Sequence, residues 1–111
     1  MSSEVYSFDV VVPGGSTSAT LTDHHAGAVI AVYAASTCSS GTPRSISSIT
    51  TGGKLNIIGN ATTAAIADGG SAQYEQTELG GTALDGGSIV VTMSGAVDSS
   101  GNITVTIYVA P

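Results

Sequence analysis

Asp23, His24 and His25 stand side by side in "LTDHHAGAVI" (21–30), and His24 and His25 are the only histidines in the chain. Carboxylate and imidazole together could hold zinc or copper, or pass a proton. Spacing argues against both. Consecutive residues of an extended chain point to opposite faces, and a closed zinc site takes four convergent ligands. Cys38 is a conceivable third ligand, and no fourth stands out. A turn needs less: Asp23 caps it, the two imidazoles face water, and Gly27 lets the chain enter the next strand. His24 and His25 would also titrate near neutrality at a contact surface. This corner is therefore read as a surface contact.

The other candidate chemistry is thinner. Glu75 and Glu78 lie three apart in "YEQTEL", with Asp85 beyond them. A glycosidase needs two carboxylates across a sugar cleft, usually lined by aromatics, and this chain has one Phe, four Tyr and no Trp. Asp68, Asp85 and Asp98 sit beside glycine or in Gly-containing turns, where calcium could bind. "DSSGN" (98–102), however, lacks the alternating acids and closing Glu of an EF-hand loop. No serine occupies a G-x-S-x-G elbow, and "PGGSTS" and "DGGS" lack the lysine of a phosphate loop. Nucleophile, base and orienting group are not assembled. The sequence is read as non-enzymatic, with no metal and no cofactor.

Composition describes the body that carries these residues. Charged residues are 9% of the 111, while 16 Ser and 14 Thr supply the polarity and 15 Gly the turns. An ordinary domain is about 25% charged. Helix formers are scarce and residues suited to a pleated surface abundant, which gives an all-β chain. One domain over 1–111 is expected, hiding about two-thirds of the unfolded chain's surface. The net charge of −6 repels phosphate backbones and anionic lipid, so neither nucleic acid nor membrane is an expected partner. Arg44 and Lys54 are the only permanent cations, and either could pair with an acid of a neighbouring subunit. Cys38 is the single cysteine, so no intramolecular disulfide forms, in keeping with synthesis in a reducing cytoplasm. "MSSEVYSFDV" has neither a basic nor a long apolar region, and no signal peptide is expected. Sequons "NAT" (60–62) and "NIT" (102–104) then carry no glycan.

Periodicity divides the chain into short strands. "EVYSFDVVVP" (4–13) sets Tyr6, Phe8, Val10 and Val12 on one face and Val5, Ser7, Asp9 and Val11 on the other. "PGG" (13–15) turns it, and "STSATLT" is expected to pair back. "AVIAVYAAS" (28–36) is continuously apolar and reads as a central strand buried on both faces. "TCSSGTPRS" (37–45) is a loop, "ISSIT" a weak strand, "TGGK" a turn and "KLNIIG" a strand. Residues 60–72 read as strand or helical turn, and "QYEQTEL" (73–79) as an edge strand. "SIVVTMSG" and "NITVTIYVA", joined by the turn "VDSSGN", read as a β-hairpin with Ile89, Val91, Met93, Ile103, Val105, Ile107 and Val109 inward. The expected fold is an antiparallel β-sandwich or jelly-roll-like barrel of about seven to eight strands.

"YSFDVVVPGGSTSATLTD" and "GGTALDGGSIVVTMSGAVDSSGNITVTIYVAP" resemble the ends of small β-rich virion structural proteins of tailed bacteriophages, including capsid decoration or cement proteins. The two stretches cover about half the chain. The resemblance implies a non-enzymatic protein on the outer surface of the assembled head, made in the bacterial host cytoplasm. It would stabilise the head by bridging subunits of the major capsid protein, typically as a homotrimer, and no catalytic residue is carried over. The alternatives are a head-fibre, tail or adhesion module binding a cell-surface glycan, and a metal-dependent enzyme or lectin around His24 and His25. Candidate contact residues are the N-terminal arm Ser2, Ser3, Glu4, Val5 and Tyr6, with 1–5 extended, the corner Asp23, His24 and His25, and the cations Arg44 and Lys54.

Overall fold

The computed structural model describes residues 5–22, 26–51, 55–57, 65–75, 83–84 and 87–110. Their nine strands, in chain order, are β1 (Tyr6–Pro13), β2 (Ser18–Leu21), β3 (Gly27–Ser36), β4 (Ile46–Thr51), β5 (Leu55–Asn56), β6 (Ser71–Glu75), β7 (Ala83–Leu84), β8 (Ile89–Met93) and β9 (Asn102–Ala110). They form two antiparallel sheets. One runs β1-β9-β3-β6, with β7 also on β3, and the other runs β2-β8-β4-β5. The chain changes sheet at nearly every connection, the β4–β5 hairpin and the passage from β6 to β7 excepted. This strand order is that of a jelly roll.

The core lies between the sheets and follows the alternation of the sequence. Ile103, Val105, Ile107 and Val109 of β9 point inward, against Val10 and Val12 of β1, Ile89, Val91 and Met93 of β8, and Ile46 and Ile49 of β4, all buried. The weak-looking "ISSIT" is thus a core strand, because its two isoleucines occupy inward positions. Cys38 and Val97, both in connections, are buried at one end of the core.

Three sequence expectations are corrected. β8 and β9 are not a hairpin: β8 pairs with β2 and β4, and β9 with β1 and β3. Likewise β2 does not pair back on β1. Alternation says which side chains face the core, but in a sandwich both sheets face the same core, so two inward-facing strands can lie in opposite sheets. β3 is central but buried on one face only, with Val29, Val32, Ala34 and Ser36 inward and Tyr33 and Ala28 exposed. Its register on β9 shifts between Val29 and Ala31. Ile30 is the extra residue of a bulge, which lets Val29 and Val32 share one face and hides the period of two.

Of the uncertain 60–72 segment, 65–70 contain a single bridge, Ile66 to Arg44, and a turn at Asp68–Gly69, where Gly69 has φ of 67°. Residues 60–64 lie outside the described residues, as do the turn residues 52–54 and the second half of "QYEQTEL". β6 stands at the end of its sheet's path.

Ile49 is fully buried in β4. Ile49→Ala is expected to lower unfolding free energy by about 2–5 kcal/mol in urea titration, whereas Tyr33→Thr on the outer face should cost less than about 1 kcal/mol.

Candidate functional site

Side-chain hydrogen bonds among the described residues concentrate at one end of the sandwich, where three connections meet: 14–17 between β1 and β2, 37–45 between β3 and β4, and 94–101 between β8 and β9. The first and third are arches passing from one sheet to the other, and they bond to each other. Gly15 N–H donates to the Val97 carbonyl at 2.7 Å, Val97 N–H to Ser16 at 2.9 Å, and Met93 N–H to Thr17 at 2.8 Å. Val97 thereby becomes a plug over the core.

Ser100 ties the second connection on. Its hydroxyl donates to the Asp98 carboxylate and accepts the Ser39 N–H at 3.0 Å, and its own N–H donates to the same carboxylate at 3.0 Å. That hydroxyl, and then that N–H, hold the Asp98 carboxyl below its ordinary pKa. Thr37 Oγ1 accepts the Asn102 N–H at 3.0 Å and Thr37 N–H donates to the Asn102 carbonyl at 2.9 Å. Buried Ser36 accepts the Cys38 N–H at 3.1 Å, and the Cys38 thiol lies 3.6 Å from the Asp98 carbonyl. The backbones touch closely: a Cβ on Gly101 would stand 2.6 Å from the Thr37 carbonyl carbon. Chemically this is a clasp. Ser100 is engaged with groups of its own chain on every side, and Asp98 serves the turn.

Arg44 belongs to the same end. It is half-buried, its Nε donates to the Ala96 carbonyl at 2.8 Å, and the Ser45 N–H beside it donates to Ser94 Oγ at 3.0 Å. It braces the start of β4 against the arch. Val5 is exposed and Tyr6 half-buried at the start of β1. Ser2, Ser3, Glu4, Asp23, His24, His25 and Lys54 lie outside the described residues, as do Glu78 and Asp85. Among the described residues no group of three or more His, Cys, Asp or Glu is placed to hold a metal.

The two outer faces are the broad surfaces available for contact. On the β2-β8-β4 side, register aligns Thr20, Val90 and Thr50 in one row and Ser18, Thr92 and Ser48 in the next. No charged side chain interrupts these rows. On the other sheet, Asp9, Thr106, Tyr33 and Gln73 form a row, with Val11, Thr104, Ala35 and Ser71 beside it. Asp9 accepts the Thr106 hydroxyl at 2.6 Å. The low-charge, hydroxyl-rich composition points to Thr and Ser faces suited to contact, but no residue of these rows is among the candidate contact residues.

Asp98 gives the clasp a pH dependence. Its folded pKa lies below that of the unfolded chain, near 3.9, so its contribution is complete above that value and disappears as pH falls through the folded pKa. Thermal melts between pH 5 and pH 2 should show a smaller acid loss in Asp98→Ala than in the parent. Gly101→Ala should cost about 1–3 kcal/mol at any pH, since the clash is with backbone. No protein-family model and no curated protein matches the chain, and what it does has to be argued from these surfaces.

Proposed function

We propose that the chain is a non-enzymatic virion structural protein of a tailed bacteriophage, a decoration protein that binds the outside of the assembled head and stabilises it. The observation carrying this reading is the outer face of β2-β8-β4, uncharged among the described residues, with Ser18, Thr20, Ser48, Thr50, Val90 and Thr92 aligned on one sheet. Small hydroxyl side chains lose little rotamer freedom on contact. A surface with no charge to desolvate loses little on docking. On a lattice of repeated coat subunits, such modest contacts multiply. The jelly-roll strand order supports the reading by analogy only, since capsid proteins and lectins share it.

The test is cosedimentation with heads of the phage whose genome encodes the chain, assembled without it. Binding should be saturable, absent on unassembled coat protein, and accompanied by a higher melting temperature of the head. Thr20→Lys with Thr50→Lys should weaken it by about tenfold or more, because two charges must then be desolvated. Binding to a cell-envelope glycan with none to heads would sink the decoration reading.

A further inference from the structure

We propose that β1 is the seam of a two-fold dimer, in which the β1 strands of two copies pair antiparallel about Phe8. This does not rest on head binding.

β1 ends its sheet's path, with β9 on one side and no strand on the other among the described residues. The backbone phase follows from the neighbouring ladder. Thr37 bonds Asn102 across β3 and β9, and Ser36 N–H donates to Gly70 on the opposite side of β3. Alternation along β9 then turns Ile103, Val105, Ile107 and Val109 toward β1, where their partners are Val12, Val10, Phe8 and Tyr6. The edge-facing backbone belongs to the odd positions, Ser7, Asp9 and Val11, with Val5 next in series.

An edge of this kind is normally guarded by lysine, mid-strand proline, a bulge or an inward charge. β1 has no lysine and no bulge, and its proline is the last residue. Its one charge, Asp9, is drawn toward β9 by the Thr106 hydroxyl. Two of the three exposed large hydrophobics among the described residues are Val5, 52% exposed, and Val11, 45% exposed. They lie on one face, symmetric about Phe8.

Those facts select a register. Pairing about Phe8 sets Val5 against Val11 of the second copy and Ser7 against Asp9, in hydrogen-bonded pairs, and brings the two Phe8 residues together. Pairing about Asp9 would oppose two carboxylates, which is destabilising. Pairing about Val10 would oppose Ser7 to Pro13, which has no N–H to give. The Phe8 register also covers Tyr6 and Phe8, which pack on the core while still partly exposed. The contact is isologous, so it makes a dimer, where the resemblance to decoration proteins implied a trimer.

Native mass spectrometry and sedimentation over a dilution series of the whole chain should give a dimer, with slow amide exchange at Ser7, Asp9 and Val11. Val11→Lys, at an exposed position, should weaken association by about tenfold or more, since the change enters the seam twice. With Cys38→Ser as background, Val5→Cys together with Val11→Cys should lock a covalent dimer on oxidation, because paired strands bring these positions within disulfide reach. Val11→Cys alone should not. A monomer at every concentration overturns the proposal, including one whose β1 amides become protected only on heads, which would assign the edge to a coat strand. An oligomer indifferent to Val11→Lys and not locked by the cysteine pair overturns it as well.

Discussion

The structure depends on two arches that hold each other. The β1–β2 connection and the β8–β9 connection both leave one sheet for the other, and neither makes a ladder with its own flanking strands. They are joined instead by hydrogen bonds to each other, through Gly15, Ser16 and Val97. A crossing connection strands polar backbone at the rim of an apolar core, where an unpaired group is costly. Stacking the arches satisfies these groups together and fixes β1 over β2 and β9 over β8. The Asp98–Ser100 turn, the 37–41 loop and Arg44 are fastened around that joint.

The sheet faces and the β1 edge are the surfaces on which the two proposed contacts rest. Near the arches Thr37, Arg44, Ser94, Asp98 and Ser100 are engaged with their own chain. The polar side chains of the β2-β8-β4 face, Ser18, Thr20, Ser48, Thr50 and Thr92, are short, uncharged and set at fixed spacing by the strands. The proposed binding would act by shape and repetition, because the chain has few charges with which to steer an encounter. Its acidity keeps copies apart at long range, while the strip of β1 between Val5 and Val11 carries a single carboxylate.

Much of this was legible in the residues. The period of two in "NITVTIYVA", "SIVVTMSG" and "YSFDVVV" named the inward side chains of three strands correctly, because a half-buried strand must alternate. Which strands would be neighbours was not legible. Inward valines in β8 and β9 are the same signal whether the strands pair or oppose, and only the bonds between distant connections decide. Ile30 defeated the pattern differently, since one bulge residue shifts the phase within β3. Arg44 was expected to seek an acid of a neighbouring subunit, and its bond to the Ala96 carbonyl is one that no pairing of charges along a sequence reveals. The Thr and Ser rows were present in composition but became faces only once register aligned them. The histidine corner, Lys54 and Ser2 to Glu4 lie outside the described residues.

The pairing of β1 with β9 also governs how the protein comes to exist. β9 is last in order yet sits in the middle of its sheet, between β1 and β3. Until it is in place, β1 has no strand beside it in that sheet among the described residues, and the inward valines of both neighbours lack its cover. Contacts between such distant segments close the largest possible loop before any of them is rewarded, which slows folding. Synthesis from the N-terminus delivers β9 after every strand it must join, so the fold is completed in one late, concerted step. Through that interval β1 and β3 are unsatisfied edges. The period of greatest exposure to misassembly therefore falls just before β9 docks.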